Sequence, residues 1–310
     1  MEYLWGIDLG GTKVEGIILK PGESPETIAR IRIPSDAYKG YEHVTGQVAK
    51  LVEMMKAESG LKPEKIGMGT PGIADTITGK MKNCNSQCLN GRFLKQDLQK
   101  LLNTEVVIAN DANCFALAET RYGIVKEKMP HARVVFGVIM GTGVGGGLVI
   151  DGKVWNGLQG IAGEWGHNAL DDKGELCYCG KSGCVEKTIS GEATEAYYHK
   201  LTTNGATRAN HLPLQEIWAR HLSGTDKNAT LTIERMIVMF GKAISMVINI
   251  LDPDVIVLGG GMGNIDLLYS AGVEEIKKNA FTDRFSTPVL KPMLGDSAGV
   301  FGAATLIQSD

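Results

Sequence analysis

The sequence has almost no charge to spare. Its 310 residues carry 32 Lys and Arg against 35 Asp and Glu, a formal net charge of −3. That balance gives no electrostatic reason to expect nucleic acid or an anionic membrane as a partner. Long apolar runs are missing too: no uninterrupted stretch reaches the roughly 20 residues of a membrane span. No basic region followed by an apolar run opens the chain, so no signal peptide is expected. Cysteine is sparse, with six residues. Three of them, Cys84, Cys88 and Cys114, are scattered and read as reduced thiols, which places the chain in the cytoplasm. There is no G-x-x-x-x-G-K-[ST] loop. The triple glycine at 259–261 does not complete G-x-G-x-x-G, so a dinucleotide fold is not expected. No low-complexity segment or linker stands out.

Glycine is the one excess, with 40 residues clustered at 6–16, 141–147 and 259–263. Clustered glycine means tight turns between strands, or backbone that approaches something closely. Residues 3–9 pattern as a strand ending in Asp8, Gly10-Gly11-Thr12-Lys13 as a turn, and 14–19 as a second strand. Exposed amides on such a tip can take phosphate oxygens, and Asp8 can hold a magnesium ion. Many ordinary hairpins have glycine tips as well. However, the layout recurs: 133–140 is a strand, Gly141-Thr142-Gly143 opens the turn 141–147, and LVIDGKV continues as a strand. Two matched tips some 130 residues apart suggest a duplicated domain that binds phosphate from both halves.

The rest of the chain reads as alternating helix and strand. Residues 41–57 have apolar positions at helical spacing, and a strand follows at 65–69. GTPG at 69–72 is a rigid turn at a strand end, either lining a cleft or simply connecting. The polar loop 81–91 offers Asn83 and Asn85 to hydroxyls. Residues 105–109 form a strand that delivers Asn110 and Asp111 to its carboxyl end just before a helix. Ligands of open α/β sheets gather there, yet Asn and Asp also suit a helix N-cap. Residues 233–251 are an amphipathic helix stopped by Asp252-Pro253. An apolar strand then runs into Gly260 and Gly261, with a helix from about 265. A short apolar helix spans 299–308.

The densest chemistry lies at 163–186. His167 stands ten residues before Cys177, and Cys177, Cys179 and Cys184 are spaced C-x-C-x4-C. Three thiolates and an imidazole are the usual complement of a closed, structural zinc site. The alternative is three free thiols on a turn beside a surface histidine. Glu164 and Glu186 flank the set and are not needed as ligands, so they remain to grip a substrate.

DLGGTK at 8–13, GTPG at 69–72, NDAN at 110–113, GTGVGGG at 141–147, GEWGH at 163–167, CYCGKSGCVE at 177–186 and LGGG at 258–261 occur in the order found in the ROK sugar kinases. The chain resembles that family over essentially its whole length. Within it, AGEWGHNAL, CYCGKSGC, KNCNSQCLNG and NILDPDVIVLGGGM look most like the bacterial fructokinases (manno-fructokinases), while NDANCFAL is shared with the N-acetylglucosamine kinases. The resemblance implies an α/β, two-lobed actin/hexokinase-like ATPase fold built from duplicated ribonuclease H-like domains around a cleft. It implies a small lobe at 1–110, joined by the C-terminal helix at about 299–310, and a larger lobe at 111–298 with the zinc loop. The implied reaction is magnesium-dependent transfer of the ATP γ-phosphate to a sugar 6-hydroxyl, with Asp111 as general base. Fructose is the favoured sugar; mannose, glucose and N-acetylglucosamine are the alternatives, and a non-catalytic sugar sensor is the alternative from another class.

By the same resemblance Asn110, Glu164, His167 and Glu186 grip sugar hydroxyls, and Gly72 and Asn83 lie on the substrate side. His167 puts one ring nitrogen on zinc and the other toward the sugar. Asp8, Gly10, Gly11, Thr12 and Lys13 with Gly141, Thr142 and Gly143 hold magnesium and phosphates, and Gly260 and Gly261 lie against adenosine. A homodimer is implied. Some relatives are repressors with an N-terminal helix-turn-helix, for which the strand starting at Tyr3 leaves no room. Trp165 stands where relatives often carry a smaller apolar residue, and either narrows the sugar pocket or packs behind the metal loop.

Overall fold

The computed structural model describes residues 3–203 and 212–308. The last two residues of the expected C-terminal helix, and 204–211 of the expected helical region, lie outside the described residues. Two five-stranded sheets dominate. The first has the order β3-β2-β1-β4-β7, from β1 (Leu4–Leu9), β2 (Lys13–Lys20), β3 (Glu26–Pro34), β4 (Lys65–Thr70) and β7 (Glu105–Asn110). The first three strands form an antiparallel meander, and β4 and β7 add in parallel. Between β4 and β7 lie the small hairpin of β5 (Ile73–Ala74) and β6 (Met81–Lys82) and helix α2 (Leu94–Leu102). The second sheet repeats the order as β10-β9-β8-β11-β12, from β8 (Val134–Met140), β9 (Val144–Ile150), β10 (Lys153–Val154), β11 (Val255–Gly259) and β12 (Val289–Leu290). The repeat read from two glycine tips is therefore a repeat of a whole strand order. β9 begins at Val144, inside the glycine run, so the second tip is only the three residues 141–143.

The chain divides into two compact units, and the division passes through β8 and β9. One unit comprises 1–137, 147–163 and 292–310; the other comprises 138–146 and 164–291. The division does not fall at residue 110. Helix α3 (Asp111–Arg121) stays with the first unit because it packs along α10 (Ala298–Thr305), which itself lies against β1 and β4. On the other side of that sheet, α1 (Tyr41–Ser59) buries Val44, Val48, Leu51, Val52 and Met55 in a core with Trp5, Ile7, Val14, Ile18, Ile66 and Met68. α4 (Ile124–Lys128) follows α3 and is tied to it through Glu119, whose carboxylate accepts the N–H of Ile124.

The second unit is mostly helical beyond the metal loop: α5 (Val185–Ile189), α6 (Gly191–Thr203), α7 (Leu214–Ser223), α8 (Lys227–Leu251) and α9 (Ala271–Asn279). α8 starts six residues earlier than the apolar pattern at 233 suggests. Asp226 caps it, accepting the N–H groups of Asn228 and Ala229 at 2.9 and 3.1 Å. The helix ends at Asp252, which turns left-handed (φ 42°) just before Pro253. Its buried face of Ile233, Met236, Ile237, Phe240 and Ile244 packs against α5, α6, α7 and α9. The helix expected from about 265 begins only at Ala271; two short 3-10 turns, Gly261–Asn264 and Asp266–Tyr269, occupy the interval.

Candidate active site

In the first unit, two carboxylates meet at the strand ends of the first sheet. Asp8 is the fifth residue of β1, paired across to Glu15 of β2 and beside Gly69 of β4. Gly299, at the start of α10, leaves room for it, since a Cβ there would stand 2.9 Å from Asp8 Oδ2. No local signal in the sequence marks Gly299 as part of this seat. Burial, then the negative charges of Asp111 and Glu15, raise the Asp8 pKa from an ordinary 3.8 to about 6. Glu15 is itself held by Arg30 at 2.6 Å and Arg32 at 2.6 Å. A pair of crowded carboxylates of this kind favours a cation, so Asp8 fits the magnesium role.

Asp111 is the first residue of α3, directly after β7. The residue is exposed to solvent, while its carboxylate is set among protein atoms. That crowding raises its pKa, and the N–H of Ala112, donating to Oδ1 at 2.8 Å, offsets the rise in part. Asn110 takes the N-cap role: its Oδ1 accepts the N–H of Asn113 at 2.8 Å. Asn113 has a part that its place in the motif does not announce; it is buried and accepts the N–H of Leu148 at 3.0 Å, tying α3 to β9. The turn 69–72 is anchored by buried Thr70, which donates to Gly72 O and Ala109 O. Asn85 donates its N–H to Pro71 O at 3.3 Å, so the 81–91 loop folds onto that turn. Asn83 stands in that loop with a left-handed backbone (φ 59°). The tip at 10–13 is closed by a Gly10 N–H to Lys13 O bond of 2.9 Å, and Gly11, Thr12 and Lys13 are exposed on it.

In the second unit, Gly141 and Thr142 open onto a cavity of about 490 Å³. Its wall also includes Gly261 and Asn264 after β11, Gly191 and Glu192 at the start of α6, and Gln215 and Trp218 on α7. Gly191 N–H donates to Gly141 O at 2.7 Å, so the glycine tip and the α6 N-terminus form one edge. Gly260 stands behind Gly261 with φ 78°, where a Cβ would come within 2.2 Å of Met140 O; only glycine fits there. The volume and the mixture of glycine amides, an indole and amides suit a nucleoside phosphate. Gly191, Glu192, Gln215, Trp218 and Asn264 escape a reading of the sequence because they lie outside the three glycine clusters and come from three separate elements.

The metal set assembles as the spacing predicts. One ligand atom from each of His167, Cys177, Cys179 and Cys184 lies within 4.8 Å of every other. Cys177 Sγ is 3.6 Å from His167 Nδ1, and Cys179 Sγ is 3.5 Å from Cys184 Sγ. Corners of a tetrahedral zinc site with ordinary bond lengths stand about 3.5–3.8 Å apart, so the donors fit that ion. The flanking acids behave differently. Glu186, in α5, accepts the N–H of Val144 at 3.1 Å, which ties it to the glycine tip through Oε2. Glu164 precedes the 3-10 turn Trp165–His167. Trp165 is buried and donates its indole N–H to Gly145 O at 2.9 Å, so it packs behind the loop rather than narrowing a pocket. His167 Nδ1 faces the thiols, but its Nε2 is 2.9 Å from the hydroxyl of Tyr178. The ring nitrogen expected to point straight at a sugar is thus met first by a phenol.

Comparison with known proteins gives a consistent result. The model of the ROK family matches residues 4–310. The N-acetyl-D-glucosamine kinase of Aliivibrio fischeri is 33% identical over 312 residues, covering 97% of this chain and 98% of that protein. The N-acetyl-D-glucosamine kinase of Photobacterium profundum is 34% identical over 314 residues, with the same coverage. Among solved structures, the ROK hexokinase from Thermus thermophilus superimposes with a TM-score of 0.84 at 27% identity, covering 98% of this chain and 97% of that one. The twice-used strand order and this likeness identify the actin/hexokinase-like ATPase fold.

Proposed function

This chain belongs to the ROK family and is an ATP-dependent sugar kinase, and on that premise we propose that it phosphorylates the 6-hydroxyl of a hexose with Asp111 as general base. The observation that carries the assignment is the crowded carboxylate of Asp111 at the start of α3, with Asp8 within electrostatic reach. A base tuned upward from an ordinary carboxylate accepts a hydroxyl proton more readily near neutral pH. The Ala112 N–H holds Oδ1 and leaves Oδ2 for that proton. The sugar oxygen attacks the γ-phosphorus, the bond to the bridging oxygen breaks, ADP leaves, and the proton passes to Asp111. Such transfers depend mostly on positioning and on electrostatic stabilisation of the phosphoryl oxygens.

The other roles fall on residues of both units. Asp8 and the tip Gly10, Gly11, Thr12 and Lys13 serve magnesium and phosphate, and magnesium when bound neutralises charge on the phosphates. Gly141, Thr142 and Gly143 serve phosphate as well, and the cavity with Gly261 and Trp218 takes adenosine. Asn110, Glu164, His167 and Glu186 hold sugar hydroxyls, with Gly72 and Asn83 on the substrate side. Zinc on His167, Cys177, Cys179 and Cys184 fixes the loop that carries three of these groups. A cytoplasmic homodimer is the assembly we expect; no helix among the described residues is long and apolar enough to cross a membrane.

For the sugar itself we place N-acetyl-D-glucosamine first, because relatives of that name match nearly the whole chain. Fructose is the second reading, supported by the AGEWGHNAL and CYCGKSGC motifs. A coupled assay with magnesium-ATP on N-acetyl-D-glucosamine, fructose, mannose and glucose, comparing kcat/KM, tests the choice. A clear lead for fructose would reverse the order. Binding of a sugar without phosphorylation of any would make the chain a sensor and remove Asp111 from its role.

A further inference from the structure

Tyr178 lies between Cys177 and Cys179, two of the four clustered His and Cys donors. Its hydroxyl is 2.9 Å from His167 Nε2, and the two rings meet edge to face with centroids 5.1 Å apart. His167 Nδ1 is 3.6 Å from Cys177 Sγ. With a metal on Nδ1 the ring proton would sit on Nε2 and donate to the phenol oxygen, leaving the phenol O–H to donate elsewhere. The side chain is exposed, not tucked into the core. Glu164 directly precedes the 3-10 turn that carries His167, and Glu186 stands in α5 two residues after Cys184.

We propose that Tyr178 is a sugar-contacting specificity residue: its hydroxyl, held by His167 Nε2–H, is the donor presented to a sugar hydroxyl beside Glu164 and Glu186. On this view His167, assigned above to sugar hydroxyls, reaches them through the phenol rather than directly: with Nδ1 on a metal its ring would aim the Tyr178 hydroxyl, as outer groups orient ligands at metal sites. The proposal deepens the sugar-kinase reading and rests on it.

The test is Tyr178→Phe in the full-length, zinc-loaded protein. Equilibrium binding of N-acetyl-D-glucosamine and of fructose is measured by calorimetry without nucleotide, alongside bound zinc, Tm, and KM and kcat for both substrates. Loss of one neutral hydrogen bond to the sugar should weaken its binding by between about twofold and tenfold. KM for ATP, zinc content and Tm should stay at wild-type values. Unchanged sugar affinity would overturn the proposal. Tighter binding would also overturn it, because the phenol would then be a competitor for His167. Loss of zinc or a large fall in Tm would assign Tyr178 to the metal loop's fold and sink the sugar contact. If the wild-type protein binds and phosphorylates none of the four sugars, the kinase reading itself fails and carries this one with it.

Discussion

Asp8 and Asp111 are ordinary letters in a sequence with 35 acids; their chemistry comes from where they are crowded together. Because the folded pKa of Asp8 is raised to about 6, the folded state holds a proton that the unfolded chain has released. That contribution is therefore fully present below about pH 4 and is lost as pH rises through 6. Without divalent cations, Asp8→Asn should be more stable than wild type above pH 6, by on the order of 2–3 kcal/mol, with the gap closing toward pH 4. Urea denaturation at several pH values measures this. The same variant should lose magnesium-dependent turnover. At the neighbouring position, Asp111→Asn keeps the shape and the Ala112 N–H contact but removes the base. Sugar binding should persist while kcat falls by about 100- to 10,000-fold, which single-turnover kinetics with calorimetric sugar binding would establish. Near-normal turnover would take the base role from Asp111.

At the scale of elements, two joints can be probed directly. α3 and α10 cross so closely that a Cβ on Gly302 would fall 1.8 Å from Cys114 O. Since the clash is with backbone, the helices must part, and Asp111 at the head of α3 and Gly299 at the head of α10 would shift with them. Gly302→Ala should cost roughly 1–3 kcal/mol, the usual overpacking range, and lower kcat more than its stability loss explains. Calorimetric Tm beside kcat at a temperature well below it would show both. The metal loop is the second joint. Cys179 is the exposed cysteine of the set, so Cys179→Ser disturbs the core least. Bound zinc should fall sharply, Tm should drop, and sugar affinity should fall further than ATP affinity, because Glu164, His167 and Glu186 ride on this loop. Full stability and activity with no zinc would dismiss a structural ion.

For the molecule as a whole, the cavity proposed for the nucleotide lies within one unit and draws its wall from α6, α7, Gly141 and Thr142 and the turn after β11. A non-hydrolysable ATP analogue at about 100 times its Kd should add about 2.7 kcal/mol to stability. Trp218→Ala removes the one large aromatic surface among the described residues of that wall. It should abolish most of the shift in Tm and raise KM for ATP by about tenfold, leaving KM for sugar within twofold. Equal effects on both substrates would mean that the indole supports the fold rather than the adenine.

Strand and helix periodicity, the glycine tips and the cysteine spacing act over short separations, and the order of residues alone settles them. The hairpin of β1 and β2, the cap-ready Asn110 ahead of α3, the helix ending at Asp252-Pro253 and the clustering of His167, Cys177, Cys179 and Cys184 are all legible there. Whatever depends on residues far apart in the chain waits for the packed molecule. Packing places the unit boundary inside β8 rather than at residue 110, because α3 needs the apolar face of α10 nearly 190 residues later. It opens a room for Asp8 at Gly299, gathers Trp218, Asn264 and Gly191 around one cavity, and folds Trp165 behind its loop. It also sets Tyr178 in front of His167, a contact that C-x-C spacing permits and only the folded loop makes. Local spacing encodes turns and periodic faces; burial, close approach and shifted acidity arise only when distant elements pack.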